Sequence, residues 1–240
     1  MILLLSGCAI LYHTRMKIIS SHRALLLYVF FATIFLPSTA PTAETGSSHN
    51  LFYINKLSDK SFFVGRANLV TRDGFSDTFF GYVDGNYRYA LTGPWSFEVG
   101  YRHAFLELSH GWREEYRPML SLNWRGKLGG GKFSNRHRIE WRYFEGNAKD
   151  RIRYRNESVW TSSHTITDYQ LTPFIEEEFF YDITDSELNI NWVTLGISKF
   201  WTKKQQRRIK WKLAYRLQSQ KFNSQWKNRH MLVTGISVFH

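Results

Sequence analysis

Cysteine is nearly absent from this sequence, since the 240 residues contain only Cys8. A lone thiol supplies no disulfide framework and no zinc site built on cysteine ligands. The nine histidines include no close pair at a helical spacing. The sequence therefore predicts neither a metal centre nor any other cofactor.

Long apolar runs are also scarce. Residues 24–36 form an uncharged, mostly apolar run, which is shorter than the roughly 20 residues that a helix needs to span a bilayer. Lys17 and Arg23 precede the run and small residues follow it. This order is typical of a secretory signal peptide, so we expect the chain to be exported and not anchored by this segment.

The predicted signal peptide occupies residues 16–43, with a start at Met16 and cleavage after Ala43. Residues 1–15 then form an extension upstream of the true start. Within it, residues 5–8 (LSGC) match the lipobox that marks bacterial lipoproteins for acylation. No charged segment and no long apolar run precede this match, so we interpret it as a chance occurrence.

Cleavage removes three basic residues and no acidic residue. The mature chain of 197 residues then carries 29 basic residues against 20 acidic ones, a net charge of +9. This length is sufficient for one domain. We divide it into an N-terminal segment, 44–59, and a main fold, 60–240.

Apolar and polar residues alternate with a period of two along the main fold. In the segment RRIKWKLAYRLQ, Trp211 and Leu213 share one face of a strand while Lys210 and Arg216 share the other. Aromatic residues make up 17% of the chain, although the mean hydropathy of −0.38 is that of a soluble protein. Long alternating strands with outward-facing aromatic residues are typical of transmembrane β-barrels, whose polar residues line the lumen.

We predict an all-β fold, an antiparallel up-and-down transmembrane β-barrel of about ten strands. The strands lie near residues 60–71, 76–91, 95–106, 112–126, 133–144, 150–161, 168–181, 189–201, 207–219 and 229–239. An even number returns both chain ends to one side of the barrel. The segment NLFYINKL is a possible further strand, so the range is eight to twelve. Pro118 and Pro173 each remove a ladder hydrogen bond and predict bulges or strand starts.

Four motifs, SNRHRIEWR, RIRYRN, LTPFIEEEFF and NWVTLGI, resemble those of a bacterial family. Their residues are Asn135, Arg136, Arg138, Glu140, Arg142, Arg153, Arg155, Pro173, Phe174, Glu178, Phe180, Asn191 and Gly196. The chain resembles the uncharacterised outer-membrane family called domain of unknown function 2490, over most of residues 60–239. The resemblance implies a β-barrel of the outer membrane and no assigned reaction.

The end of the chain agrees with this expectation. Leu232, Ile236 and Val238 share one strand face, Phe239 is the penultimate residue and His240 is the last. Outer-membrane barrels usually end on an aromatic residue that the barrel assembly machinery recognises. We therefore expect this machinery as a partner and the outer membrane of a Gram-negative bacterium as the location.

Arginines and carboxylates share the polar faces of neighbouring predicted strands. The predicted lumen network consists of Arg136, Arg138, Glu140, Arg142, Arg151, Arg153, Arg155, Glu157, Glu176 and Glu178. Guanidinium–carboxylate pairs fill a small barrel with satisfied hydrogen bonds. We predict a plugged, structural barrel, and the alternative is a narrow path that favours anions. Glu177 then points to lipid, unless a bulge near Pro173 turns it inward.

A lipid- or lipopolysaccharide-modifying enzyme is the second hypothesis. The candidate residues are His103, His137, His164, Ser109, Ser121 and Ser163. None of them stands in a recognisable nucleophile motif, so we expect no enzymatic activity.

The positive charge of the chain suggests an anionic partner. Nucleic acid is disfavoured as this partner, because alternation separates the basic residues from the aromatic ones and leaves no stacking groove. We expect the basic residues Lys203, Lys204, Arg207 and Lys227 to contact lipopolysaccharide at the rim. The oligomeric state is left open.

We expect the mature protein to begin at Glu44 and to carry no lipid, because the charged and apolar signal begins only at Met16. N-terminal sequencing and the intact mass of the exported protein measure this. A form acylated at Cys8 would contradict the prediction.

Overall fold

The computed structural model describes residues 44–240 except 74, 75, 110, 147, 203–207, 223 and the side chain of Thr202. The predicted signal peptide, the lipobox match and the upstream extension lie outside the described residues and stay predictions. All regular elements in the described part are strands. No helix there is long and apolar enough to cross a membrane.

The described residues form eleven strands. They are β1 (Glu44–Lys56), β2 (Ser61–Arg72), β3 (Asp77–Ala90), β4 (Trp95–Leu108), β5 (Gly111–Leu128), β6 (Gly131–Phe144), β7 (Arg151–Ser162), β8 (Thr172–Asp182), β9 (Glu187–Thr202), β10 (Arg208–Phe222) and β11 (Gln225–Phe239). The all-β prediction is confirmed, and the strand number lies within the predicted range. The possible further strand is β1, which brings most of the segment 44–59 into the barrel wall.

Alternation along each strand sorts the side chains between the two faces of the wall. On β10, Leu213 is 42% exposed on the outside, whereas its neighbour Ala214 is 5% exposed on the inside. β11 repeats the pattern, with Leu232 exposed and Val233 fully buried. The period of two that the sequence displays is therefore the period of outward and inward faces.

The sheet closes into a barrel through a parallel pair of strands. Every strand pairs antiparallel with the next one along the chain, and β1 pairs with β11 in parallel, from Glu44 opposite Arg229 to Ile54 opposite Phe239. The expectation of an even strand number was wrong. Ten antiparallel steps leave the eleventh strand running in the direction of the first, so Glu44 and His240 lie on opposite sides of the barrel.

The two ends of the barrel are named here after the residues that they carry. At the Glu44 end, β1 begins and the turns after β2, β4, β6, β8 and β10 lie. At the His240 end, β11 finishes and the turns after β1, β3, β5 and β7 lie. Residues within five or six positions of a strand terminus therefore belong to the corresponding half of the lumen.

The two prolines inside predicted strands have different outcomes. Pro173 is the second residue of β8, as expected for a strand start. Pro118 lies inside β5, where Tyr116 and Met119 pair with β6 and the two residues between them do not. The register is the same on both sides of this interruption, so Pro118 marks no bulge. Its missing N–H group simply removes ladder bonds toward β6.

Gly196, one of the motif residues of β9, permits a close approach inside the barrel. A Cβ atom at this position would lie 2.4 Å from Cβ of Ala214 and 2.8 Å from Cζ of Phe174. Because no side chain tolerates these distances, glycine is required for the local packing of β8, β9 and β10.

The parallel seam predicts a specific cross-link. Leu51 and Ile236 are partners across the seam and both face outward. In a Cys8→Ser background, Leu51→Cys with Ile236→Cys should form a disulfide, because adjacent strands place Cα atoms within disulfide range. Mass spectrometry of the linked peptides measures it. The control pair Leu51→Cys with Leu232→Cys should stay reduced, and a preference for that pair would contradict the register.

Candidate functional site in the barrel lumen

Charged side chains, and not apolar ones, dominate the interior of the barrel. Among the described residues, 15 charged side chains are buried against eight hydrophobic ones. Buried charges are costly unless they are paired and hydrogen-bonded. The lumen is therefore the place where the chain concentrates its interacting polar groups, and its pairing decides what the barrel can do.

Glu140 on β6 lies at the centre of the lumen network and is 0% exposed. Arg153 on β7 is paired with Glu140 in the sheet, and it donates from Nε and Nη2 to Glu140 Oε2 at 3.0 and 2.5 Å. Arg155 Nη1 donates to the other carboxylate oxygen at 3.5 Å, and Arg138 Nη1 lies 3.8 Å from the same oxygen. Three guanidinium groups thus surround one carboxylate.

Glu98 on β4 forms a second centre in the His240-end half. Arg66 donates to its Oε1 at 2.7 Å, and Arg88 donates to its Oε2 at 2.9 and 2.6 Å. Arg138 donates to Glu98 Oε1 at 3.2 Å. Because Arg138 also lies beside Glu140, it connects the two centres along the inner face of β4, β5 and β6.

Asp84 on β3 extends the network toward the Glu44 end. Arg102 donates to Asp84 Oδ2 at 3.1 and 2.7 Å, and Arg66 donates to Oδ1 at 3.5 Å. The guanidinium of Arg102 also lies 3.6 Å from the ring centroid of Tyr82, a cation–π contact. Each guanidinium in this part of the lumen is therefore held by at least one carboxylate.

Glu115 on β5 collects two guanidiniums in the Glu44-end half. Arg117 donates to both carboxylate oxygens at 2.5 Å, and Arg142 donates at 2.5 and 3.1 Å. Nearby, Asp182 accepts from Arg151 at 3.2 Å. These pairs add charge-assisted hydrogen bonds to the Glu44-end half of the lumen.

The wall formed by β6, β7 and β8 carries further pairs. Arg136 donates to Glu157, and Arg155 donates to Glu178. Arg136 Nη2 also lies 3.9 Å from Glu178 Oε1. Since Arg155 contacts Glu140 as well, these pairs join the central network.

Glu176 on β8 forms ion pairs with basic side chains of β10. Arg216 Nη2 donates to Glu176 at 3.1 Å, and Lys212 Nζ lies 3.5 Å from it. Arg216 also lies over the Trp192 ring at 4.5 Å.

All ten residues of the predicted network lie on inward faces, and ion pairs join seven of them to one another, namely Arg136, Arg138, Glu140, Arg153, Arg155, Glu157 and Glu178. The other three pair with residues outside the predicted set: Arg142 with Glu115, Arg151 with Asp182, and Glu176 with Arg216. The structure adds residues that were not predicted, namely Arg66, Asp84, Arg88, Glu98, Arg102, Glu115, Arg117, Asp182 and Arg216. Alternation alone places Glu98 and Arg102 on the polar face of β4, so a signal for their burial was present. Their partners belong to distant strands, which alternation does not identify.

The candidate histidines of the enzyme hypothesis contact other groups. His103 Nε2 lies 2.8 Å from Glu114 Oε2, and His137 Nδ1 lies 2.6 Å from the hydroxyl of Tyr154. Among the described residues, none of the three candidate histidines hydrogen-bonds a candidate serine. In the same part of the chain, no group of three or more potential metal-ligating side chains is close enough to hold a metal ion.

A catalytic serine must be reachable by its substrate, and two serines of the barrel are buried. Ser121 faces the lumen, where it is buried and accepts a hydrogen bond from Arg138 at 3.0 Å. Ser47, which was not a candidate, lies 2.8 Å from His49 Nε2. Its exposure is 1%, so no substrate reaches its hydroxyl in this conformation.

Glu177 faces outward, between two inward-facing carboxylates of β8. The register irregularity between β8 and β9 lies at Phe180, and not near Pro173, so it does not turn Glu177 inward. Asn191 on β9 donates to Glu177 Oε1 at 2.8 Å. Glu177 therefore faces outward, as alternation along β8 predicts when Glu176 and Glu178 face inward.

Other outward polar groups continue from Glu177 onto β6 and β7. This outer polar patch comprises Asn135, His137, Asn156, Ser158, Glu177 and Asn191. Asn135 donates to Asn156 at 3.1 Å and to Ser158 at 2.8 Å, and Asn156 lies 3.2 Å from His137 Nδ1. The patch thus satisfies much of its own hydrogen bonding on the outside of the wall.

Of the four basic residues expected to contact lipopolysaccharide, Lys203, Lys204 and Arg207 lie outside the described residues. Lys227 lies in β11, close to the Glu44 end. The expected contact with lipopolysaccharide stays a prediction for all four.

Comparison with known proteins supports the resemblance found in the sequence. The model of a family described as "Protein of unknown function (DUF2490)" matches residues 46–229. No curated protein and no solved structure matches the chain. The predicted family resemblance is thus confirmed.

The central ion pairs predict a large stability effect. Glu140→Ala should lower the free energy of unfolding by roughly 3–5 kcal/mol, because it leaves buried guanidiniums without their carboxylate. Adding Arg153→Ala should recover part of this loss. Denaturant-induced unfolding followed by circular dichroism measures both variants.

The matched control for this experiment is Asp59→Ala. Asp59 forms an ion pair with Lys56, but its side chain is 96% exposed, so its loss should change stability little. If Glu140→Ala were as mild as this control, the assignment of Glu140 as the centre of the network would be wrong.

Proposed function

This chain belongs to the DUF2490 family of proteins of unknown function, and we propose that it is a non-enzymatic β-barrel of the outer membrane. In this proposal the wall spans the bilayer and the charged network closes the lumen. The role is structural, with at most a limited passage that prefers anions.

The distribution of apolar and charged side chains carries this proposal. Outward positions hold many exposed large apolar residues, such as Leu51, Val99, Leu122 and Ile236, each at least 40% exposed. Soluble monomers rarely expose contiguous apolar surface on this scale. A bilayer requires such an outer surface, and it tolerates a polar, filled interior.

Strand length supports the same proposal. The shortest of the described strands, β8, has 11 residues, and β5 has 18. A tilted strand needs about 9–11 residues to cross the hydrocarbon core. Every strand of the wall is therefore long enough to span it, and a closed barrel leaves few unpaired backbone groups facing lipid.

The lumen network supports closure over conduction. Glu98, Arg138 and Glu140 are each at most 1% exposed and are linked to one another on the inner face of β4 and β6. In this proposal, a continuous water path requires these buried groups to separate. Because breaking a buried pair is costly, we propose that the resting barrel conducts little, and that residual passage favours anions through its excess of guanidinium groups.

Conductance distinguishes this plug from an open pore. In planar bilayers the purified barrel should show little current, and what it shows should prefer anions. Glu98→Gln with Glu140→Gln removes both central carboxylates and should raise the anion current, with the wild type measured in parallel. Large, steady, cation-selective channels from the wild type would overturn the proposal.

Membrane insertion tests the outer face. Leu213 lies near the middle of β10 and faces outward, so Leu213→Arg should weaken insertion by about 2–4 kcal/mol. Leu128→Arg is the control, because Leu128 is the last residue of β5 and belongs near an interface, where the cost falls to roughly 0–1 kcal/mol. Folding into lipid vesicles followed by gel mobility measures both, and equal effects would argue against a bilayer-spanning wall.

The absence of catalysis in this proposal has its own test. Purified barrel incubated with lipopolysaccharide should leave the lipid unchanged in mass. A deacylated or acyl-transferred product would replace the proposal with a lipid-modifying enzyme, and the outer His103–Glu114 pair would then be the first group to vary.

A further inference from the structure

The described residues form a cavity toward each end of the barrel. The cavity at the Glu44 end has about 200 Å³ and is lined by residues such as Gln218, Lys227 and Arg229. A cavity of about 250 Å³ lies in the His240-end half, among side chains within about five residues of the strand ends there. The linked groups Glu98, Arg138 and Glu140 lie next to it, since Arg66 and Arg88 of its lining donate to Glu98. In the closed lumen of the proposed function, this space is a cup with a charged floor.

Basic groups outnumber acidic groups around this cup. Its basic side chains are Arg66, Arg88, Arg125, Arg136, Lys210 and Lys212. The acidic side chains that line it are Glu157 and Glu176. A low-dielectric wall strengthens the resulting positive potential inside, which attracts an anion.

Several of these basic groups have unused hydrogen-bond donors. Arg136 donates to Glu157, but its Nε is buried without an acceptor. The guanidinium of Arg125, which is an exposed residue, and the ammonium of half-buried Lys210 form no hydrogen bond and no ion pair with any described residue, and both line the cavity. A buried donor such as Arg136 Nε is normally satisfied. An anion among these three side chains would accept from Arg136 Nε and leave the existing pairs in place.

Apolar side chains line the rest of the cup. They are Phe52 and Ile54 of β1, Val64 of β2, Val159 of β7 and Phe174 of β8. Lys212 Nζ lies 5.7 Å from the ring centroid of Phe174, so the ammonium and the apolar surface are close to each other. These apolar side chains offer a short alkyl or aryl group contact surface adjacent to the basic groups.

We propose that the cup binds a small amphiphilic anion, with a carboxylate or phosphate head on Arg125, Arg136 and Lys210 and a short apolar chain against Phe52, Ile54 and Val159. The cavity corresponds to the liquid volume of roughly eight water molecules, which suits a short chain and not a whole lipid. This proposal rests on the closed lumen of the proposed function, and it makes the barrel a receptacle that opens toward the His240 end.

Isothermal titration calorimetry of the purified full-length protein in neutral detergent tests the site. Three probes are compared. Octyl phosphate has both the anionic head and the alkyl chain, inorganic phosphate has the anionic head alone, and octyl glucoside has the same alkyl chain on an uncharged head. Octyl phosphate should bind most tightly, because only this probe uses both surfaces. If either single-feature probe bound as tightly as octyl phosphate, the proposal would be overturned.

Variants identify the groups that hold the head. Arg125→Gln with Lys210→Gln should weaken octyl phosphate binding at least about tenfold, since each change removes a charge-assisted hydrogen bond. Neither residue has an ion pair among the described residues, so the unfolding temperature should stay near that of the wild type. Lys210→Arg should retain binding. The control Lys149→Gln removes an exposed charge in the turn at the Glu44 end and should leave binding unchanged.

A variant of the apolar side of the cup tests where the alkyl chain of the ligand binds. Ile54→Ser should weaken octyl phosphate binding while leaving inorganic phosphate binding as it is. Wild-type affinity in the Arg125 and Lys210 double variant, or in Ile54→Ser, would overturn the cup. Because conductance is measured separately, a conducting barrel with a functional cup and a silent barrel without one are distinguishable outcomes.

Discussion

Pairing of buried guanidiniums with buried carboxylates is the constraint on which the structure depends. Around Glu140 and Glu98, every carboxylate oxygen accepts from at least one arginine, and Arg138 contacts both centres. An unpaired charge in such an interior costs several kcal/mol. The network therefore sets which strands must be adjacent and at what height, because a shift of one residue would turn each charge to the outer face.

This inner constraint also determines the character of the outer surface. Because each strand alternates, every inward arginine or glutamate is flanked by two outward side chains, and these are mainly leucine, isoleucine, valine and aromatic residues. The outer polar patch on β6 to β9 is a departure from this rule. There, Glu177 lies between two inward carboxylates and obtains its hydrogen bond from Asn191 on the next strand.

Period-two alternation was sufficient to predict ten of the strands within a few residues and to place the ten network residues on inward faces. It was insufficient for the first part of β1, where Gly46, Ser47 and Ser48 give no apolar face. The ion-pair partners could not be predicted from the sequence for a different reason. The bond from Arg138 to Glu98 joins residues 40 positions apart on β6 and β4, with β5 between them, and a side-chain contact over an intervening strand leaves no periodic signal. The position of the cup could not be predicted either, because it depends on where these ion pairs end along the lumen.

The parallel pair that closes the barrel affects how the wall is assembled. Contacts across it, such as Glu44 to Arg229, join residues 185 positions apart, so β1 has no partner on that edge until the last strand has been made. Before then the sheet has two open edges, which attract foreign strands. A parallel ladder is also slightly less stable per residue than an antiparallel one. The seam is therefore the last part of the wall to form, and both open edges disappear in that one step.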